Sequence, residues 1–178
     1  MLKKLFVLFI AFAPLAAVAQ DGKMAYLNSQ EIFNAMPELS DIEKQLSAKN
    51  EEIQKNGQAL VEAFQTKLKE IQDCETAIAA ASGEEKKKKE TEKGILETEL
   101  KSRQERIQSY SESGQKEMDE LRMKLLQPVY QKIQNAIQNV GDEQKFAYIF
   151  DLSANSIVYK STTAVDATPL VKAKLNLK

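Results

Sequence analysis

Apolar residues recur at Ile42, Leu46, Ile53, Leu60, Phe64, Leu68, Ile71, Cys74 and Ile78, always at steps of three, four or seven positions. This is the spacing of one face of an α-helix. With no proline and one interior glycine, Gly57, between residues 39 and about 81, it predicts a single long helix. Ser82-Gly83 interrupts the pattern, and a second stripe runs through Leu96, Leu100, Ile107, Tyr110, Met118, Leu121, Leu125, Val129, Ile133, Ile137 and Val140. Two long helices joined by a two-residue break form an antiparallel hairpin, whose first arm reaches on the order of 60 Å. Ile42, Ile53 and Phe64 stand eleven apart, as do Leu96, Ile107, Met118, Val129 and Val140. That period, about 3.67 residues per turn, favours straight or slightly right-handed winding over a heptad coiled coil. The stripe is thin, and Gly57, Gly94 and Gly114 each cost about 1 kcal/mol relative to alanine, so the arms are expected to bend. Pro128 removes a backbone hydrogen bond within the second pattern, which predicts a kink or restart where the arm enters a body.

Outside the hairpin the period changes from helical to two-residue alternation. Met24 and Tyr26 alternate with Ala25 and Leu27, predicting a strand at 24–28, and Ser29 then opens a short helix carrying Ile32 and Phe33. Pro37, Glu38 and Ser40 punctuate the start of the long helix. After Gly141-Asp142, residues 146–151 and 157–159 are β-rich runs on either side of Ser153-Ala154-Asn155-Ser156, which predicts a β-hairpin. Within the first run Phe146, Tyr148 and Phe150 alternate with Ala147 and Ile149, so both faces are apolar and both need covering. Thr168 is placed to cap a last helix with Pro169 at its first position, followed by Leu170, Val171 and Leu175. The expected fold is α+β, mainly helical. An arm at 38–127, with its tip near 82–83, projects from a discontinuous body at 23–36 and 128–178. Three strands cannot bury two apolar faces in so small a body, and oligomerisation is the economical solution.

Composition narrows the chemistry. The 178 residues contain no histidine, no tryptophan and one cysteine. Ser-His-Asp catalysis, zinc sites with histidine or paired cysteines, and intrachain disulfides are excluded by inventory. Neither a Gly-x-x-x-x-Gly-Lys loop nor a Gly-x-Gly-x-x-Gly fingerprint is present, so no nucleotide cradle and no cofactor are expected. Residues 1–19 combine Lys3 and Lys4, an apolar stretch at 5–13, Pro14, and Ala17-Val18-Ala19, the pattern of a cleaved secretory signal peptide. Its removal leaves 23 basic against 26 acidic residues, a net charge of −3, which removes the electrostatic footing for nucleic-acid binding.

Lys86, Lys87, Lys88 and Lys89 form the densest basic cluster, flanked by Glu84, Glu85, Glu90 and Glu92. It reads as a solvated helix face with intrahelical pairs or, alternatively, as a contact tip for an anionic partner. Cys74 shares the stripe of Ile71 and Ile78 and reads as a small buried hydrophobe, lacking a histidine to activate it. Asp151 ends a strand and reads as a turn or pairing residue, and no pair of carboxylates has a desolvated setting for acid-base work. No catalytic, cofactor-binding or metal-ligating residue is therefore assigned, and an enzyme is not expected. Ile53, Leu60, Phe64, Ile107, Tyr110 and Met118 either hold the two helices together or, across a gap between several arms, offer weak contacts to a non-native client.

The order of these segments, with KMAYLNSQEIFNAMPE beginning at Lys23, a long charged helical hairpin, and KFAYIFDLSANSIVYKS from Lys145, resembles the Skp/OmpH family of periplasmic chaperones. The resemblance implies a jellyfish-like homotrimer. Three chains form a central body and three hairpins enclose a cavity that holds unfolded outer-membrane β-barrel proteins, without ATP, until they reach the assembly machinery. It places Met24, Tyr26, Phe146, Tyr148, Phe150 and Val158 in the trimer body and implies a soluble periplasmic protein. The best-known members are strongly basic, which helps them hold lipopolysaccharide; the charge of −3 departs from this and argues against that ligand. The rival reading is a structural or adaptor coiled-coil protein of the cell envelope whose arm stripe pairs with one defined partner.

Overall fold

The computed structural model describes residues 22–154 and 156–177, so the expected signal peptide lies outside the described residues. Its elements in chain order are β1 (Lys23–Leu27), α1 (Ser29–Asn34), α2 (Glu38–Ala80), α3 (Gly83–Gln144), β2 (Phe146–Asp151), β3 (Val165–Asp166) and α4 (Thr168–Lys174). A 3-10 turn at Leu152–Ala154 follows β2. The 43 residues of α2 span roughly 65 Å and the 62 of α3 roughly 93 Å. Between them Ala81 and Ser82 are extended, and Gly83 takes φ 61°, a conformation open to glycine without a Cβ penalty.

The two helices pack antiparallel along the expected stripe. Ile53 faces Gly114, Gly57 faces Tyr110, Lys67 meets Glu99 and Lys93 meets Glu75, each pair nearly equidistant from the tip. The restart expected at Pro128 does not occur, since α3 runs through it as one element. Val129 and Ile133 follow immediately and are buried in the core, with Leu125 packed against it. Tertiary packing of this apolar face outweighs one missing backbone bond.

The sheet corrects a second expectation. Its order is β2-β1-β3 and both neighbours run parallel to β1. Residues 146–151 thus pair with the start of the chain, and 157–159 form no strand within it. The turn residues have another use: Asp151 accepts hydrogen bonds from the Ser29 amide (3.1 Å) and hydroxyl (2.5 Å) and from the Ser153 amide (3.0 Å) and hydroxyl (2.8 Å). This clasp fastens the end of β2 to the start of α1 and directs the chain away from a hairpin. A bulge between Lys23 and Met24 sets Phe146 opposite Lys23 but Tyr148 opposite Met24. Phe146 therefore leaves the face of Tyr148 and Phe150 and packs against the core instead, contrary to simple alternation.

The closing helix is anchored differently from expectation. Asp166 Oδ1 accepts the Thr168 amide at 2.9 Å, while Thr168 Oγ1 accepts the amide of Asn28 at 3.1 Å. Thr168 is thus a tie between α4 and the end of β1 rather than a helix cap. The core forms where these pieces meet. Leu27, Ile32 and Val171 are fully enclosed among Val129, Ile133, Ala136 and Val140, each large side chain contributing about 1.5–3 kcal/mol.

Candidate functional site

The parallel pairing sorts the body's apolar residues onto two faces. Ala25 and Leu27 point inward, whereas Met24 and Tyr26 lie beside Tyr148 and Phe150 on the outer face. That outer face is apolar and open: Met24 is 60% and Tyr148 63% exposed, and the Tyr148 and Phe150 rings lie 6.1 Å apart. The segment after β2 passes along it, with Lys160 Nζ 4.0 Å from the centre of the Tyr26 ring. Ile157, Tyr159 and Ala164 line a cavity of about 340 Å³ against Met24, Tyr26 and Phe150. Val158 is fully exposed. Of the six residues assigned to the oligomerisation body, Met24, Tyr26, Tyr148 and Phe150 are brought together; Phe146 turns inward and Val158 stands on the crossing segment.

Along the arm, Ile53, Leu60, Phe64, Ile107, Tyr110 and Met118 are all half-buried on the seam between α2 and α3. Their apolar atoms are used largely on each other. The apolar side chains that stand clear of the seam are Val61, Leu68, Ile95 and, at 73% exposed, Met123. At the tip Lys86, Lys87 and Lys88 are exposed, with Lys87 4.0 Å from Glu84, and Lys89 is half-buried. The Lys89 carbonyl accepts a 3.4 Å hydrogen bond from Cys74 Sγ, and the thiol is buried between the helices.

The seam also contains charged residues that the apolar stripe passed over. Lys49 reaches Glu117 at 2.9 Å, Lys67 reaches Glu99 at 2.8 Å, and Lys93 reaches Glu75 at 2.6 Å, each pair crossing from one helix to the other. Lys132 and Glu38 make a fourth pair, at 2.5 Å, where the arm meets the body. Hydrogen bonds first to Glu70 and then to Glu99 hold Lys67 above the ordinary lysine range against the opposing effect of burial. The Lys67 hydrogen bond in turn lowers Glu99. The sequence carried a signal for this: Lys49 sits inside the seven-residue gap of the stripe from Leu46 to Ile53, Lys67 sits beside Leu68, whose side chain stands clear of the seam, and each lysine has a glutamate at the mirrored position across the tip.

Asp151 is the structural residue expected. Burial alone would raise its pKa, but the bonds from Ser29 and Ser153 outweigh that and hold the carboxylate below its usual range. Among the described residues no cluster of three or more potential metal ligands occurs, and no helix is long and apolar enough to cross a membrane.

Comparison with known proteins adds a family and a fold. A family model described as outer membrane protein (OmpH-like) matches residues 23–175. No curated protein matches the sequence. Among solved structures, that of an OmpH-like outer membrane chaperone from Caulobacter crescentus superposes with a TM-score of 0.65 at 19% identity, covering 87% of this chain and 84% of that one.

Proposed function

Because this chain belongs to the OmpH-like outer membrane protein family, we propose that it is an ATP-independent holdase that keeps unfolded outer-membrane β-barrel proteins soluble in the periplasm. The observation that carries this reading is the apolar outer face on which Met24, Tyr148 and Phe150 stand exposed beside the half-buried Tyr26, on a body from which a long arm projects. A face of this composition is costly in water and is satisfied by copies of itself. A homotrimer would bury it and hold three arms around a shared cavity. Cleavage after residue 19 would release the soluble mature chain into the periplasm.

Client contact in this arrangement is weak and repeated. Val61, Leu68, Ile95 and Met123, with the open edges of Leu60 and Phe64, supply scattered apolar contacts. The exposed charges, including Lys86, Lys87 and Lys88, keep the surface hydrated. Many such contacts retain a chain while any one exchanges, a use that requires neither a specific pocket nor nucleotide.

The test is turbidity after dilution of a urea-unfolded outer-membrane β-barrel protein into buffer, with and without the mature chain and without nucleotide. Suppression at stoichiometric trimer is the expected result, across unrelated β-barrel clients. No suppression by an intact trimer would refute the holdase reading and favour an envelope adaptor with one defined partner.

A further inference from the structure

The surplus negative charge of the mature chain is confined to one place. Eleven acidic and eleven basic residues lie between 53 and 111, and six of each lie outside the arm and its root. The imbalance falls entirely in the two stretches that form the root, 38–52 and 112–132, with nine acidic against six basic residues. At the same place an apolar groove of about 280 Å³ opens between the helices. Its floor is Ile42 of α2 with Leu125, Pro128 and Val129 of α3, and Glu38 and Asp41 line it beside them. Ile42 and Val129 belong to the core, which makes the floor firm.

The polar groups of this groove are acceptors without donors. Lys132, the only cation lining it among the described residues, is engaged by Glu38 Oε1 at 2.5 Å. That hydrogen bond holds the Glu38 carboxyl below its usual range, so the group is ionised at neutral pH. Its other oxygen, Oε2, is buried and has no hydrogen-bond partner among the described residues. The torsion that sets a carboxylate is soft, so a donor in the groove can turn Oε2 toward itself. Asp41 is paired with Lys44 at 3.2 Å, but both side chains are largely exposed and solvent screens the pair. Pro128 has no N–H, so the carbonyl of Lys124 lacks its helical donor on the same wall.

We propose that this groove binds an arginine-bearing apolar segment of the unfolded client, an inference that deepens the holdase reading and rests on it. A long cationic side chain meets both demands of the site, because its stem buries on apolar surface while its head reaches polar groups. Arginine suits it better than lysine: the guanidinium is weakly hydrated, and its planar fork reaches Glu38 Oε2 and Asp41 together. An acidic segment is repelled by the surplus negative charge of the root, and a wholly apolar one leaves the buried acceptor unsatisfied.

Fluorescence anisotropy on the full mature chain tests this with short unstructured peptides that share an apolar frame and differ at one position, which holds arginine, lysine, glutamine or glutamate. The arginine peptide is expected to bind about tenfold tighter than the glutamine peptide, with lysine between them and glutamate weakest. Asp41→Lys, at an exposed position, is expected to abolish the arginine preference, and Lys87→Ala at the tip to leave it intact. Equal binding of the arginine and glutamine peptides overturns the proposal, as does a preference that survives Asp41→Lys unchanged or disappears with Lys87→Ala. The turbidity assay keeps the two readings apart. Suppression of aggregation by a wild type that shows no arginine preference refutes the groove alone. An arginine preference lost in Asp41→Lys, in a wild type that suppresses no aggregation, leaves the site standing and refutes the holdase.

Discussion

Replacing Gly114 by alanine reverses the ordinary sign of a glycine-to-alanine change in a helix. At an unencumbered helical site the substitution stabilises by about 1 kcal/mol, and Gly94 is such a site. At Gly114 the new methyl meets Ile53 Cγ2 at 2.9 Å, inside van der Waals contact. Ile53 is β-branched and its χ1 is held by its own helix, so the clash is relieved only by moving backbone. Overpacking of this kind costs about 1–3 kcal/mol. The net effect of Gly114→Ala is a destabilisation of about 0–2 kcal/mol, separated from Gly94→Ala by about 1–3 kcal/mol. The assay is guanidinium unfolding followed by far-ultraviolet circular dichroism at one fixed protein concentration, since assembly shifts apparent stability. Ile53→Ala alone removes half-buried methyl groups and destabilises by about 1–2 kcal/mol. In the double variant the clash disappears, so the combined loss falls short of the sum by about 1–3 kcal/mol. If Gly114→Ala raises the midpoint as much as Gly94→Ala does, the helices do not approach at this level and the register of the arm is wrong.

In the trimer proposed above, Tyr148→Asp would bury a charge on the outer sheet face at a cost of several kcal/mol per chain on assembly; light scattering should report dissociation for this variant and none for Lys87→Ala at the exposed tip. If both variants remain trimeric, the sheet face is not the interface. Asp151→Asn should destabilise the protein at neutral pH. Because the folded pKa of Asp151 is lowered, its contribution is present above the unfolded value and lost as pH falls through the folded one, so melting curves of variant and wild type should converge in acid. A difference that persists unchanged at low pH would show that the clasp acts through shape and not charge. Lys145 caps α3 at φ 55°, a left-handed conformation costly for a side-chain-bearing residue. Lys145→Gly should raise stability by about 0.5–1 kcal/mol, and a lowered unfolding midpoint would contradict that accounting.

The arm was legible because its determinants are local. Steps of three and four positions define a helix wherever it is placed, and Ser82-Gly83 marks the reversal without reference to anything distant. The body was legible only as a set of pieces. Residues 146–151 are unmistakably strand-like, but nothing near them specifies a partner, and the turn-forming residues that suggested a hairpin are engaged through Asp151 and Ser153 with Ser29. A bulge is a property of two paired strands, so the inward turn of Phe146 has no signature in its own segment. Lys49 and Lys67 were passed over because lysine on an apolar stripe looks like an interruption until the facing helix supplies Glu117 and Glu99. Thr168 has the composition of a cap, and only the approach of Asn28, 140 positions away, makes it a tie.

The parallel pairing of β1 with β2 has a consequence for the order in which the molecule comes into being. Lys23 pairs with Phe146, so the first strand to emerge has no partner until nearly the whole chain has followed it. A chain delivered from its N-terminus can zip the hairpin early, because those contacts close through the tip. The sheet must wait for β2, and α4, whose Thr168 fastens the end of β1, arrives later still. Arrival of β2 is thus itself the checkpoint: a chain that has reached only the end of α3 has an arm but no sheet, and the outer face that sets Met24 and Tyr26 beside Tyr148 and Phe150 exists only once the two strands have met.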